Sequence, residues 1–114
     1  MEHFHQVQDE LRAPSRTLGA LIPDVMSGFT ALHNAAMAEG ALPGKVKELI
    51  ALSIAITREC EGCIAAHARR LVRLGATRQE VAEAAGVAIA MNGGPGTVWG
   101  PRALAAFEEF GGGD

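Results

Sequence analysis

Cys60, Glu61, Gly62 and Cys63 form a C-x-x-C element, and His67 follows Cys63 by four residues. Two thiols at this spacing suit reversible oxidation. Residues three apart on a helical turn have Cβ atoms about 5 to 6 Å apart. A disulfide needs about 3.5 to 4.5 Å, a gap that modest rotation at a first turn closes. Placement at a helix start also matters, because unpaired backbone N–H groups and the positive end of the helix dipole favour thiolate over thiol. Gly62 relieves crowding between the thiols. His67 lies on the same helix face one turn further on, where an imidazole can take or relay a thiol proton. The chemistry these residues suit is thiol-disulfide exchange or peroxide reduction.

Other polar residues are weighed against that trio. Glu48 sits among apolar neighbours, Leu49 and Ile50, so partial burial is expected. A buried carboxylate needs a partner, and His67 is one that it could orient. The competing reading is a surface glutamate paired with Lys45 or Lys47. Glu59 and Glu61 flank the thiols and are read as solvated. His33 is read as a packed polar side chain or an outer partner of the site, and His3 and His5 as mobile. Trp99, flanked by Gly96, Gly100 and Pro101, is read as core packing or as the wall of an entrance.

The elements that position these residues are helical. The chain has 114 residues, 48% hydrophobic but only 4% aromatic and without tyrosine, which favours close-packed helices over strands. A single domain spanning 1–114 is expected, with 1–20 weakly ordered around a short helix interrupted at Pro14, and with 111–114 a frayed tail. Pro23 suits a first helical position, and Val25, Met26, Phe29, Leu32, Ala36 and Met37 recur at helical spacing up to Gly40, giving a helix near 23–39. Leu42-Pro43-Gly44 opens the next, in which Val46, Leu49, Ile50, Leu52, Ile54 and Ile56 wrap much of the circumference. Such a helix expects burial on most sides, which a small monomer cannot supply, so an oligomer is expected.

A further helix runs from Cys60 to Leu74, with Ile64, Ala68, Leu71, Val72 and Leu74 inward and arginines at 69, 70 and 73 near the negative end of its dipole. Thr77-Arg-Gln-Glu80 is a capping-box pattern that starts a helix ending near Asn92. Gly93-Gly94-Pro95-Gly96 then breaks the chain before a last amphipathic segment with Val98, Leu104, Ala105, Phe107 and Phe110. The total is five or six helices and no strand, an all-α fold.

The net charge of -3 and scattered basic residues argue against a nucleic-acid partner. The N-terminus MEHFHQVQDE has neither a positive leader nor an apolar core, and no window nears 18 apolar residues, so a soluble cytoplasmic protein without a membrane partner is expected. In a reducing compartment two close cysteines call for a chemical rather than a stapling role.

The run from Glu48 through C-E-G-C-I-A-A-H resembles the carboxymuconolactone decarboxylase and alkylhydroperoxidase AhpD-like family, whose signature is an upstream Glu followed by C-x-x-C-x-x-x-H. The likeness covers roughly residues 20–110 and includes the G-A-T-x-x-E-V-x-E-A stretch from Gly75 to Ala84. It implies an AhpD-like helical domain assembled as a homo-oligomer, a trimer or hexamer, acting as an antioxidant peroxidase or disulfide oxidoreductase without a cofactor. In that scheme Cys63 attacks, Cys60 resolves, and Glu48 with His67 relays the proton. The substrate is a peroxide or disulfide, and a dithiol reductant of lipoyl or other type resets the pair. The sequence departs from the best-known peroxidase members in carrying Glu61-Gly62 where some have a His between the cysteines, and in being shorter. Lactone decarboxylases of the same family characteristically lack the cysteine pair, so its presence argues against decarboxylation. Two other readings stand beside this one: a zinc site using Cys60, Cys63 and His67 with Glu48 or His33, and a non-catalytic scaffold whose dithiol switches assembly.

Overall fold

The computed structural model describes residues 2–114. Its described residues form six helices and no strand: α1 (His3–Leu21), α2 (Pro23–Met37), α3 (Gly44–Thr57), α4 (Glu61–Arg73), α5 (Arg78–Asn92) and α6 (Gly94–Glu109). The all-α expectation agrees with this, and the helices expected between residues 23 and 92 match α2 to α5 to within about two residues at each end. Helix α6 differs: it starts at Gly94, inside the Gly93–Gly96 stretch read as a break, because Gly93 alone, with a φ of 73°, makes the turn.

The core lies among α3 to α6. Leu52, Ile56, Ile64, Leu71, Val81 and Phe107 are fully buried there, and Phe4 reaches it from α1. Between them run buried alanines at 55, 65, 68, 85, 88, 103 and 106. Small side chains let helix backbones approach closely, which explains how a chain poor in aromatics fills its interior at protein density. The approach is tightest between α5 and α6. A Cβ on Gly96 would stand 2.8 Å from the Ile89 Cα, so only glycine fits.

Local chemistry starts and stops these helices where the sequence indicates. Thr77 and Glu80 form the reciprocal capping box of α5: the Thr77 hydroxyl accepts from the Glu80 N–H, and the Glu80 carboxylate accepts from the Thr77 N–H. Gly75 and Gly93 take positive φ of 73° at the ends of α4 and α5, a conformation costly for any side chain. Two side-chain caps close the connection between α2 and α3. Lys47 donates to the carbonyls of Ala36 and Ala38 at the end of α2, and the Glu39 carboxylate accepts from the Gly44 N–H at the start of α3.

The N-terminal segment differs from expectation. A single 19-residue helix runs through Pro14. The proline removes one N–H and leaves the Glu10 carbonyl without its helical donor, but both residues are exposed, where water can serve that oxygen. Tertiary contacts compensate at the other end of α1. Glu2 supplies no side-chain cap; instead the Glu109 carboxylate, reaching across from α6, accepts from the N–H groups of Phe4 and His5 at 3.0 and 2.7 Å. It also meets the His5 ring at 2.6 Å, and His3 pairs with Glu61 at 2.5 Å, so neither histidine is the free side chain the sequence suggested. The GGGD tail is likewise tied down rather than frayed: Gly112 donates to the Phe107 carbonyl, and the Gly113 carbonyl accepts from the Arg78 N–H.

Burial would raise the Glu109 carboxyl, but the Phe4 and His5 N–H groups and the His5 ring outweigh it and hold the carboxyl below its ordinary 4.5. A group with a depressed folded value stabilises the fold above its unfolded value, and that contribution is lost as pH falls through the folded one. Glu109→Gln is therefore expected to cost about 1–3 kcal/mol near neutrality and to flatten the loss of stability below pH 4.5. Urea denaturation from pH 3 to pH 7 checks both, and identical curves for variant and wild type would remove the capping role.

Helix α2 is the exception to core packing. None of its residues is buried, and Val25, Phe29 and Leu32 are exposed at 63%, 61% and 68%. On α3, Ile50 and Ile54 are also about half exposed, so the apolar circumference of that helix is not covered within one chain. The radius of gyration, 14.4 Å, exceeds the roughly 13 Å of a compact domain this long.

Candidate functional site

Cys60 and Cys63 are joined as a disulfide, with their Cα atoms 5.2 Å apart. Cys60 is the N-cap of α4, its sulfur accepting from the Cys63 N–H at 3.3 Å, so the pair occupies the first turn. Just before it Glu59 turns the chain with a φ of 54°, in the left-handed region, which ends α3 and redirects the backbone into α4. Cys63 is exposed and Cys60 half-buried. Cys63 is thus the more accessible residue of the two.

Glu48 enters from α3. It is 5% exposed, the one charged residue among the buried set, and its Oε2 lies 2.6 Å from His67 Nδ1. The alternative pairing with nearby lysines does not occur: Lys45 reaches Glu80 at 2.9 Å, and Lys47 is committed to the carbonyls that end α2. A carboxylate can only accept, so Glu48 as carboxylate fixes the imidazole proton on Nδ1 and leaves Nε2 as the basic nitrogen. His67 is one helical turn from Cys63 on the same face of α4. The arrangement therefore sets an imidazole and a cysteine pair along one stripe of α4, with the Glu48 carboxylate reaching the imidazole from α3.

Two further side chains join this group. Arg70, one turn beyond His67, brings Nη1 to 3.9 Å from Glu48 Oε1. Sequence reading placed Arg70 only at the helix end; its i+3 spacing from His67 was the available signal. His33, on α2, stacks over His67 with ring centroids 6.3 Å apart, and Phe29 stacks on His33 at 6.0 Å. This makes His33 an outer partner of the site. Trp99 is half-buried against the core with the Arg102 guanidinium 4.4 Å over its ring, which is a packing role. Of the acidic flank, Glu59 is exposed as expected, whereas Glu61 is engaged by His3.

For the zinc reading, the donor set is the test. Among the described residues no three His, Cys, Asp or Glu side chains converge as a ligand group. Each sulfur is also bonded to the other rather than held as a thiolate ligand. The residues present do not fit a metal centre in this state.

Residues 23–109 match the carboxymuconolactone decarboxylase family. An uncharacterised protein of Cupriavidus necator is 38% identical over 99 residues, covering 87% of this chain and 88% of that protein. Uncharacterised protein 4 in the cox locus of Paracoccus denitrificans is 37% identical, with 82% of each chain covered. In three dimensions the chain is similar to a carboxymuconolactone decarboxylase family protein from Legionella pneumophila, solved in its apo form, with a TM-score of 0.94 and 40% identity over 96% of this chain and 98% of that one. A protein from Thermotoga maritima follows at a TM-score of 0.76 and 29% identity, with 96% and 93% covered. No helix among the described residues is long and apolar enough to cross a membrane.

Proposed function

The chain belongs to the carboxymuconolactone decarboxylase family, and from that premise we propose that it is a dithiol oxidoreductase of the AhpD-like type, reducing a peroxide or disulfide at the expense of a small thiol reductant. The observation that carries this reading is the Cys60–Cys63 disulfide at the start of α4, beside the buried Glu48–His67 pair.

In the reduced enzyme, His67 takes the proton of Cys63 while Glu48 holds the imidazole in place. The Cys63 thiolate attacks the terminal oxygen of a peroxide, the O–O bond breaks, and an alcohol or water departs as Cys63 becomes a sulfenic acid. The Cys60 thiol then displaces hydroxide from that sulfur, releasing water and forming the disulfide. A dithiol reductant returns two electrons and two protons by exchange through a mixed disulfide, and the cycle restarts. Where the substrate is itself a disulfide, the same exchange runs without the sulfenic acid. The test is steady-state consumption of peroxide, or of a small disulfide, coupled to oxidation of dihydrolipoate. Catalytic turnover is expected with at least one acceptor, and turnover with neither would reject the reading.

The protein also acts as a homo-oligomer in this proposal, a trimer or hexamer, with α2 and the outer face of α3 as the contact. The chain exposes 6860 Å² against the roughly 5,900 Å² of a compact monomer of its mass. The excess coincides with the uncovered apolar side chains of those helices. Ile54→Glu, a charge placed where a 55% exposed isoleucine now stands, is expected to leave the fold intact and shift sedimentation from oligomer to monomer. An unchanged sedimentation coefficient in the variant would move the interface elsewhere.

A further inference from the structure

Between α1 and α4 lies a groove of about 410 Å³ lined by Gln8, Leu11 and Ser15 on one side, by Gly62 and Ala66 on the other, and by Arg12, Arg69, Arg70 and Arg73. Its lining holds four guanidinium groups and no carboxylate. In a chain of net charge -3 with ten basic residues in all, this is a marked concentration of positive charge.

Some of that charge is already engaged. Arg12 pairs with Asp9 at 3.2 Å on the solvent side, Arg69 donates to the Gln8 side-chain Oε1 at 2.7 Å and lies over Phe110, and Arg70 is 3.9 Å from Glu48. Arg73 has no carboxylate partner among the described residues, and it is exposed. The groove begins at Gly62, between the two cysteines, and runs along α4 to Arg73. Eleven residues of helix span roughly 16 Å. Its floor is apolar and narrow near the thiols, where a Cβ on Gly62 would come within 3.2 Å of the Leu11 side chain. The charge lies farther along.

We propose that this groove binds the anionic end of the enzyme's thiol or disulfide partner, a carboxylate or phosphate held by Arg70, Arg73 and Arg12, with the sulfur end directed back toward Cys63. The inference rests on the redox reading above and adds the substrate class: a small thiol bearing negative charge several bonds from its sulfur. Guanidinium groups suit such an end because they pair with carboxylate and phosphate in a planar, two-bond geometry. The exchange balances without any further reactant. Two thiols of the small molecule give up their protons and two electrons and leave as its disulfide, and the Cys60–Cys63 bond becomes two thiols. Arg70 lines the groove and lies 3.9 Å from Glu48, so an anion bound there shares a guanidinium with the carboxylate that orients His67.

The experiment runs the exchange in reverse, with reduced enzyme and three small disulfides of similar size: 3,3'-dithiodipropionate (dianion), 2-hydroxyethyl disulfide (neutral) and cystamine (dication). Rates of Cys60–Cys63 formation are followed by quenched thiol alkylation at low and high salt. The wild type is expected to favour the dianion over the neutral disulfide by about tenfold at low salt, with the preference shrinking at high salt. In each of Arg12→Gln and Arg73→Gln that ratio is expected to fall at least about threefold, whereas Arg102→Gln, an equal loss of one charge on α6, is expected to keep it. Wild-type rates alike for all three disulfides, or a preference lost equally in Arg102→Gln, would overturn the groove assignment while leaving the redox function standing. Failure to exchange with any of them would overturn the groove assignment, and if peroxide also left both thiols reduced it would remove the redox reading as well.

Discussion

Cys63→Ser is expected to lower turnover of the protein by about four orders of magnitude, to the level of the uncatalysed reaction between substrate and reductant. The size of the effect follows from the chemistry. A serine hydroxyl is a far weaker nucleophile than a thiolate at neutral pH, and it can form neither a sulfenic acid nor a mixed disulfide. The substitution is nearly isosteric, and Cys63 is exposed, so the fold should be unaffected. Cys60→Ser separates the two sulfur roles. Attack by Cys63 survives in that variant, but the sulfenic acid or mixed disulfide has no neighbouring thiol to resolve it, so a single turnover is seen without a second. Stopped-flow oxidation of each variant by substoichiometric peroxide or disulfide measures the contrast. Equal first turnovers in Cys63→Ser and wild type would reverse the assignment of the attacking sulfur.

The second large effect is expected at Glu48. Replacing it with glutamine keeps the shape and an oxygen that accepts from His67 Nδ1, now 2.6 Å from the carboxylate. What is lost is the negative charge that stabilises the imidazolium once His67 has taken the thiol proton. General acid–base contributions of this kind are worth about 10²–10⁴ in rate, and a fall of about a hundredfold is expected. The loss should sit in the rate of thiol oxidation, not in the affinity for reductant, and the pH dependence of that rate should change shape. Glu48→Ala is a harsher change, because it leaves the His67 Nδ1 and the Arg70 guanidinium without their buried partner, at an expected cost of about 1–3 kcal/mol in stability. The glutamine variant therefore separates chemistry from folding. A wild-type oxidation rate in Glu48→Gln would exclude the carboxylate from the proton relay.

The parts of this structure legible in the sequence are those encoded over three or four residues. The Thr77–Glu80 box, Pro23 at the head of α2 and the glycine after α4 mark helix ends through bonds that close within one turn. The same holds for the site: Cys60, Cys63 and His67 share a stripe because the helix repeat puts them there. Glu48 was readable through its apolar neighbours and as the upstream Glu of the family signature, and the choice between His67 and the adjacent lysines was decided by where Lys45 and Lys47 find partners, on Glu80 and on the end of α2. Contacts between the chain termini left no local trace. Glu109 caps α1 from 105 residues away, which lets a helix persist through Pro14 and brings His5 to a fixed place. Likewise the Gly113 carbonyl closes on Arg78, and the arginines of α4 become the wall of a groove only because α1 packs beside them.

The central claim is that Cys60 and Cys63 cycle between dithiol and disulfide with Cys63 as the sulfur that meets the oxidant. The most direct measurement treats fully reduced protein with one equivalent of peroxide, quenches with an alkylating reagent, and identifies the modified peptides by mass spectrometry in wild type and Cys60→Ser. The expected result is a fast Cys60–Cys63 bond, reversed by dithiol, in the wild type, and a sulfenic acid trapped on Cys63 in Cys60→Ser. Thiols that remain reduced in both proteins on the same timescale, when challenged with peroxide and then with a small disulfide, would contradict it.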